Sequence, residues 1–210
     1  MKNIRERLKN SDVSYADISV FIPDVMNAMF NEKAAGVLTL WEIRSAFRVK
    51  MMQSKAWLIQ KFLAENIDKN KQILIVGGWL GFTSWVLFKN GYNNITEIDI
   101  DSRLHDFSTH LNRFNHSFNH IVTDINDIKT DAYDVIINTS CEHILDSEWF
   151  DDIKQGTVLV LQSNNIDVPD HINKCYSIDE MISKYPMNNH YSGEVDYNDG
   201  TSRFMLIGTK

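Results

Sequence analysis

Four short stretches of this sequence group residues able to do chemistry. The first is Val76-Gly77-Gly78-Trp79-Leu80-Gly81, three glycines behind an apolar run. Glycine admits positive φ and lets a ligand approach the main chain. Where a helix follows, its free N–H groups point at the same place. Such a turn suits a nucleotide or nucleoside, and it equally suits a tight strand-to-helix turn that holds nothing. The second stretch is Ile98-Asp99-Ile100-Asp101, whose carboxylates suit ribose hydroxyls, Asp99 before Asp101. In Val122-Thr123-Asp124-Ile125, Asp124 suits an adenine amino group with Ile125 packed on the ring; a simple loop cap reads the same way. The fourth stretch, Asn138-Thr139-Ser140-Cys141-Glu142-His143, sets a thiol, a carboxylate and an imidazole side by side. A free cysteine behind a strand is more often a buried small residue than a nucleophile. An imidazole ordinarily titrates near neutrality, so His143 is the best acid–base candidate and Glu142 the next.

Each stretch follows an apolar run of strand length: Gln72–Val76, Ile95–Ile100, His120–Thr123 and Asp134–Asn138, with a fifth run at Thr157–Gln162. Helical patterns stand between them at Phe82–Phe88, Arg103–Phe114 and Asp146–Ile153. Apolar runs without alternation, separated by helices, predict a parallel sheet covered on both faces. Ser177-Ile178-Asp179-Glu180 is a capping box opening a helix to about Tyr185. Two strand-like runs, His190–Tyr197 and Ser202–Thr209, then flank Asn198-Asp199-Gly200, a hairpin signal. Ahead of the first strand, Thr39-Leu40-Trp41-Glu42 is another capping box. It starts a predicted helix to about Asn66, with Ile43, Phe47, Met51, Ser54, Leu58 and Phe62 on one face. Shorter helical patterns occur at Ile4–Lys9 and in Ser14–Phe30, the latter interrupted by Pro23.

The glycine spacing weighs two cofactor classes. A dinucleotide fingerprint wants glycine at 77, 79 and 82, where the chain has Gly77, Trp79 and Phe82. The shorter G-x-G-x-G pattern of S-adenosylmethionine enzymes wants 77, 79 and 81, and Gly77 and Gly81 match. Gly78 loosens the same turn.

Composition narrows the partners. Of 210 residues, 43% are hydrophobic and 23% charged, ordinary for one globular domain with an elaboration. The formal net charge of −7 argues against a grip on a phosphate backbone. No apolar run reaches membrane-spanning length, and Met1–Asn10 lacks a signal-peptide core, so a cytoplasmic protein is expected. With two cysteines, no paired Cys-x-x-Cys units and no His-Glu-x-x-His, neither a disulfide scaffold nor a metal site is expected.

Taken in order, Ile73–Gly81, Ile98–Asp101, Val122–Asp124, Tyr133–Asn138 and Arg203–Thr209 resemble the class I S-adenosylmethionine-dependent methyltransferases. The resemblance covers about two thirds of the chain, residues 72–210. It implies an α/β, Rossmann-like three-layer sandwich whose seven-stranded, mostly parallel sheet ends in an antiparallel hairpin. Residues 1–66 would form a helical lid and residues 67–210 the methyltransferase-like domain. The implied cofactor is S-adenosylmethionine, held by Gly77, Gly78, Trp79, Gly81, Asp99, Asp101, Asp124, Ile125 and Asn138. The loop after Asn138 would face the transferred methyl, with His143 or Glu142 as base. Trp41, Arg44 and Arg48 of the lid and Tyr185, His190 and Tyr191 near the hairpin are candidate acceptor contacts. The acceptor implied is a small molecule rather than nucleic acid, and its identity and the oligomeric state stay open. The sequence departs from the family pattern at Ile75, where an acid is usual, and at Trp79. Those departures leave a second reading, a domain of this fold that binds the cofactor without catalysis.

Overall fold

The computed structural model describes residues 36–145 and 148–210. The expected helices before residue 36 lie outside the described residues. Seven strands form one sheet. They are β1 (Ile73–Val76), β2 (Ile95–Asp99), β3 (Asn119–Val122), β4 (Val135–Asn138), β5 (Val158–Asn164), β6 (Asn188–Asp196) and β7 (Ser202–Thr209). Their order is β3-β2-β1-β4-β5-β7-β6. The first five are parallel, and β7 runs antiparallel to both β5 and β6. The chain therefore reverses its direction of travel across the sheet between β1 and β4. At such a switch point an α/β sheet opens a crevice beyond the carboxyl ends of its strands.

Both sheet faces are apolar. Leu74, Val76, Ile136, Leu159, Leu161, Phe204 and Leu206 pack one way, against Trp149 and Phe150 of α5 (Glu148–Asp151) and Met181 of α6 (Ile178–Lys184). Ile73, Ile75, Val135, Ile137, Val160, Met205 and Ile207 pack the other way, against Leu58, Ile59 and Phe62 of α2 (Val49–Ala64). Odd and even positions of one strand thus serve different layers, as the period of two requires.

The long helix expected from Ile43 to Asn66 is two helices, α1 (Leu40–Ala46) and α2. Arg48 takes the extended conformation, φ −61° and ψ 145°, and restarts the chain as the N-cap of α2. The two pieces bury different faces. Ile43 and Ala46 join Leu80, Trp85, Leu104 and Phe107 in a third cluster, which also includes residues of α3 (Phe82–Lys89) and α4 (His105–Leu111). One straight helix could not serve both clusters, and nothing local in the sequence marks the break. The Thr39 cap itself is as expected: Glu42 N–H donates to Thr39 Oγ1 at 3.2 Å, and Thr39 N–H donates to Glu42 Oε2 at 2.7 Å.

Other boundaries moved too. The helix expected over Arg103–Phe114 is a 3-10 turn, Ser102–Leu104, followed by α4, and it stops at Leu111. Strand β5 runs two residues past its expected end, because β7 continues to pair with it through Ser163↔Phe204 and Asn164↔Arg203. That extension carries Asn164 and Arg203 beyond the level of Asn138, the last residue of β4.

Candidate functional site

The turn after β1 has positive φ at three alternate residues: Gly77 at 64°, Trp79 at 54° and Gly81 at 77°. These are the three glycine positions of the G-x-G-x-G pattern. At the middle one a tryptophan adopts the left-handed conformation, which costs an L-residue about 1–2 kcal/mol. Its neighbours hold it there. Trp79 N–H donates to Asp99 Oδ2 at 3.1 Å, and the side chain packs on the cluster beneath α1.

Asp99 ends β2, as the sequence suggests. Its second oxygen accepts from Asp101 N–H at 3.0 Å, so one carboxylate braces the glycine turn and its own loop together. Burial pushes the Asp99 carboxyl above its ordinary value, against the pull of those amides. The Ile100 amide also pulls on this carboxylate, and the lone pair that remains can accept a hydroxyl. Asp101 stands differently. Its carboxylate accepts from Arg103 Nε at 2.9 Å and Nη2 at 2.6 Å, and Arg103 reaches on to Glu42 of α1 at 2.9 Å. Asp101 thus ties α1 to the β2 loop.

Gly78 answers to space rather than to φ. A Cβ there would lie 2.1 Å from the carboxyl carbon of Glu97. Glu97, fully buried on β2, was not anticipated. It accepts hydrogen bonds from Ser84 Oγ and, at 2.6 Å, from Ser108 Oγ. Burial pushes its carboxyl up to about 7. Glu97 pairs in register with Ile75, the position where the family resemblance expects an acid. A carboxylate does stand at that level of the sheet, on the neighbouring strand. His120 Nε2 approaches it to 3.8 Å, but burial drives the imidazole down to about 4, which favours a neutral ring beside Glu97. Gly78→Ala is expected to destabilise the protein by about 1–3 kcal/mol, since the buried Glu97 side chain would have to shift from its bonds to Ser84 and Ser108. Urea unfolding measures this, and an unchanged midpoint would show that the turn relaxes freely.

At the end of β4, Asn138 is fully buried. Its Oδ1 accepts from Ser140 N–H at 2.9 Å, and its Nδ2 has no partner among the described residues. Thr139 Oγ1 donates to the Gly77 carbonyl at 3.1 Å. Ser140 fills the space a Cβ on Gly77 would need, 2.1 Å from Oγ. The β1 and β4 turns therefore interlock.

Asp124 caps the 3-10 turn Ile125–Asp127, accepting from Asn126 N–H at 2.9 Å. Ile125 is buried in the core with Val76 and Ile98. Cys141 is fully buried, and burial raises its thiol far above the ordinary value, which makes it a packing residue.

Glu142 is 3% exposed and paired with Arg203, itself 9% exposed, at 2.6 Å. The same Oε1 accepts from Asn164 Nδ2, while Arg203 also donates to the Thr139 carbonyl. His143 is exposed and lies edge-on to His171, with ring centroids 4.6 Å apart. Arg203, Asn164, Glu97 and His171 were not among the site candidates read from the sequence. The signal available for two of them was a charged residue inside an apolar strand, which must find a partner. Tyr185 lies in the core, and His190 and Tyr191 sit where β6 pairs with the end of β7, opposite the glycine turn. Trp41 is 65% exposed, with the Arg48 guanidinium 5.5 Å over its ring.

No family model and no curated protein sequence matches this chain. Many solved structures match it in shape. N-methyltransferase NodS from Bradyrhizobium japonicum WM9, solved with S-adenosylhomocysteine, aligns over 90% of this chain and 98% of its own, at TM-score 0.63 and 12% identity. The fold is that of the class I methyltransferases. Magnesium protoporphyrin IX methyltransferase from Synechocystis PCC 6803, also with S-adenosylhomocysteine, aligns over 90% and 94% at TM-score 0.60 and 10% identity. A tRNA (uracil-54, C5)-methyltransferase from Pyrococcus abyssi shares the fold over 74% of this chain and 38% of its own, at TM-score 0.56 and 14% identity. Among the described residues no helix is long and apolar enough to cross a membrane.

Proposed function

We propose that this chain binds S-adenosylmethionine in the crevice between the β1, β2 and β4 turns and transfers its methyl group to a small-molecule acceptor. The observation that carries the reading is the backbone of residues 77–81. It takes the left-handed conformation at 77, 79 and 81 although Trp79 stands at the middle position of the pattern, and Asp99 braces it. The residues present fit the cofactor. Asp99 offers lone pairs to the ribose hydroxyls, and the orphaned Asn138 Nδ2 offers a buried donor beside the glycine turn. Asp101, engaged with Arg103, is the secondary ribose candidate, and Asp124 stands by the adenine end. S-adenosylmethionine supplies an activated methyl group, so the protein's task is to align the acceptor and exclude water. The packing of α1 beside Leu80 and its tie through Arg103 suit a wall over the cofactor side. Of the two acid–base candidates, Glu142 has Oε1 committed to Arg203 and Asn164. His143 is the more accessible. The net charge of −7 favours a small acceptor over nucleic acid.

Calorimetric titration with S-adenosylmethionine, S-adenosylhomocysteine and NAD tests the reading. The first two are expected to bind and NAD not. Asp99→Ala removes charge-assisted hydrogen bonds of about 1.5–3 kcal/mol, so affinity is expected to fall roughly 10- to 100-fold. A folded protein that ignores both sulfur ligands would end the proposal.

A further inference from the structure

The loops after β4 and β5 bring Glu142, His143 and His171 together from positions far apart in sequence. One donor atom of each lies within 4.8 Å of the others. Two features set this group apart from a chance cluster. Glu142 is buried with Oε1 fixed by Arg203 and Asn164, while Oε2 has no hydrogen-bond partner among the described residues. An unpartnered carboxylate oxygen in the interior is costly. Next, each imidazole has its Nδ1 3.0 Å from a backbone carbonyl, His143 from Asp170 and His171 from Ile166. A carbonyl only accepts, so Nδ1 carries the proton in both rings and Nε2 keeps its lone pair. Metal-ligating histidines are oriented in this way, with Nδ1–H given to a carbonyl or carboxylate and Nε2 left for the ion. The Asp170 carboxylate, 3.6 Å from His143 Nδ1, adds to the same orientation.

The supporting loops are held firmly. Asn173 N–H donates to the Glu142 carbonyl at 2.9 Å, and Asn173 Nδ2 donates to the Ile144 carbonyl at 2.9 Å. Ile166 N–H donates to Asn164 Oδ1 at 2.8 Å. These bonds fix the loop bearing His171 against the turn bearing Glu142 and His143.

We propose that Glu142, His143 and His171 form a site for a divalent transition-metal ion, bound through two imidazole nitrogens and one carboxylate oxygen. Two imidazoles and a carboxylate suit zinc, cobalt or iron(II) rather than magnesium or calcium, which prefer all-oxygen shells. Zinc bonds of about 2.0–2.2 Å at tetrahedral angles set donors roughly 3.3–3.6 Å apart, so a set whose donors lie within 4.8 Å of one another closes with a little over ~1 Å of movement. Arg203 opposes a second cation by charge, but its hydrogen bond goes to Glu142 Oε1 and leaves Oε2 without a partner among the described residues. Three protein ligands leave a coordination position for water or a substrate heteroatom. The expectation of no metal site rested on contiguous spacings, and this set is assembled by the fold.

The test uses the full chain, stripped with a chelator and titrated with Zn2+ by calorimetry and with Co2+ by visible absorption. One ion per chain is expected, with cobalt bands characteristic of nitrogen ligation. Changing Glu142 would strand Arg203 and disturb the fold, so the variants are His143→Ala and His171→Ala. Each is expected to weaken binding more than about 100-fold, beyond the loss typical of a residue that merely supports a ligand. S-adenosylhomocysteine titration of the same samples reports the cofactor crevice separately, so either assignment can fail alone. Wild-type protein that takes up no ion, or variants that bind as wild type does, would overturn the site.

Discussion

Replacing Arg203 with alanine is expected to cost the fold about 3–5 kcal/mol, the usual penalty for removing one partner of a buried ion pair. At this chain length that corresponds to a fall in the unfolding midpoint of roughly 10 °C. The loss has two sources. Glu142, 3% exposed, would be left buried without a counter-ion. The Thr139 carbonyl would also lose the Arg203 donor that helps hold the β4 turn. Because Thr139 in turn holds Gly77, S-adenosylhomocysteine binding should weaken along with stability. The pair itself need not be worth much, since taking both charges out of water is expensive. A double change, Glu142→Leu with Arg203→Met, is therefore expected to recover most of the stability lost by Arg203→Ala. Thermal melts of the three proteins decide the matter. An Arg203→Ala variant within about 0.5 kcal/mol of wild type would mean that the pair is open to water.

Glu97→Gln is expected to stabilise the protein, and only above mildly acidic pH. The Glu97 carboxyl moves from its ordinary 4.5 up to about 7 in the fold, chiefly through burial. The folded chain therefore keeps a proton that the unfolded chain has lost. Stability is fully present below about 4.5 and declines as pH rises towards 7, where the ionised form must be buried. That gap corresponds to at most about 3 kcal/mol. Glutamine has the same shape, hydrogen-bonds with Ser84 and Ser108, and carries no charge at any pH. Part of the gain returns through Lys55, which burial lowers to about 8 and Glu97 helps keep charged. A net gain of about 1–3 kcal/mol at pH 8 and none near pH 4.5 is the expected pattern. Lys55 runs the other way in the wild type: its contribution recovers as pH rises from about 8 to 10.5. Urea titrations of both proteins between pH 4.5 and 9 check the slopes. Parallel profiles would show that Glu97 is ionised in the fold.

The legible parts of this chain were those written locally. The order of strands and helices, the closing hairpin, the Thr39 cap and the glycine turn each depend on neighbouring residues. The turn was legible even with Trp79 in it, because Gly77, Gly78 and Gly81 remain. Asp99 was legible because strand ends follow from apolar runs. What stayed hidden depends on pairing across the sheet. The break at Arg48 exists because Ile43 and Leu58 serve different clusters, and no residue there signals a turn. Asn164 and Arg203 reach Glu142 only because β5 and β7 pair beyond the apolar run. Glu97 sits one strand away from the position where an acid was sought. His171 belongs to a loop whose place is set by Asn173 and Asn164, so its partnership with His143 has no sequence period to betray it.

Trp79 has a consequence for how the crevice meets a ligand. A glycine at that position leaves an empty loop free to wander among many backbone states, and a ligand must then gather them into one. An aromatic residue held at φ 54° has few states to choose from. The unfavourable conformation is already carried by the folded protein, with or without a ligand. The ordering of the turn is thus settled when the chain folds, and little of that entropy remains to oppose association. The chain exchanges a small part of its stability for a turn that is shaped before anything arrives to fill it.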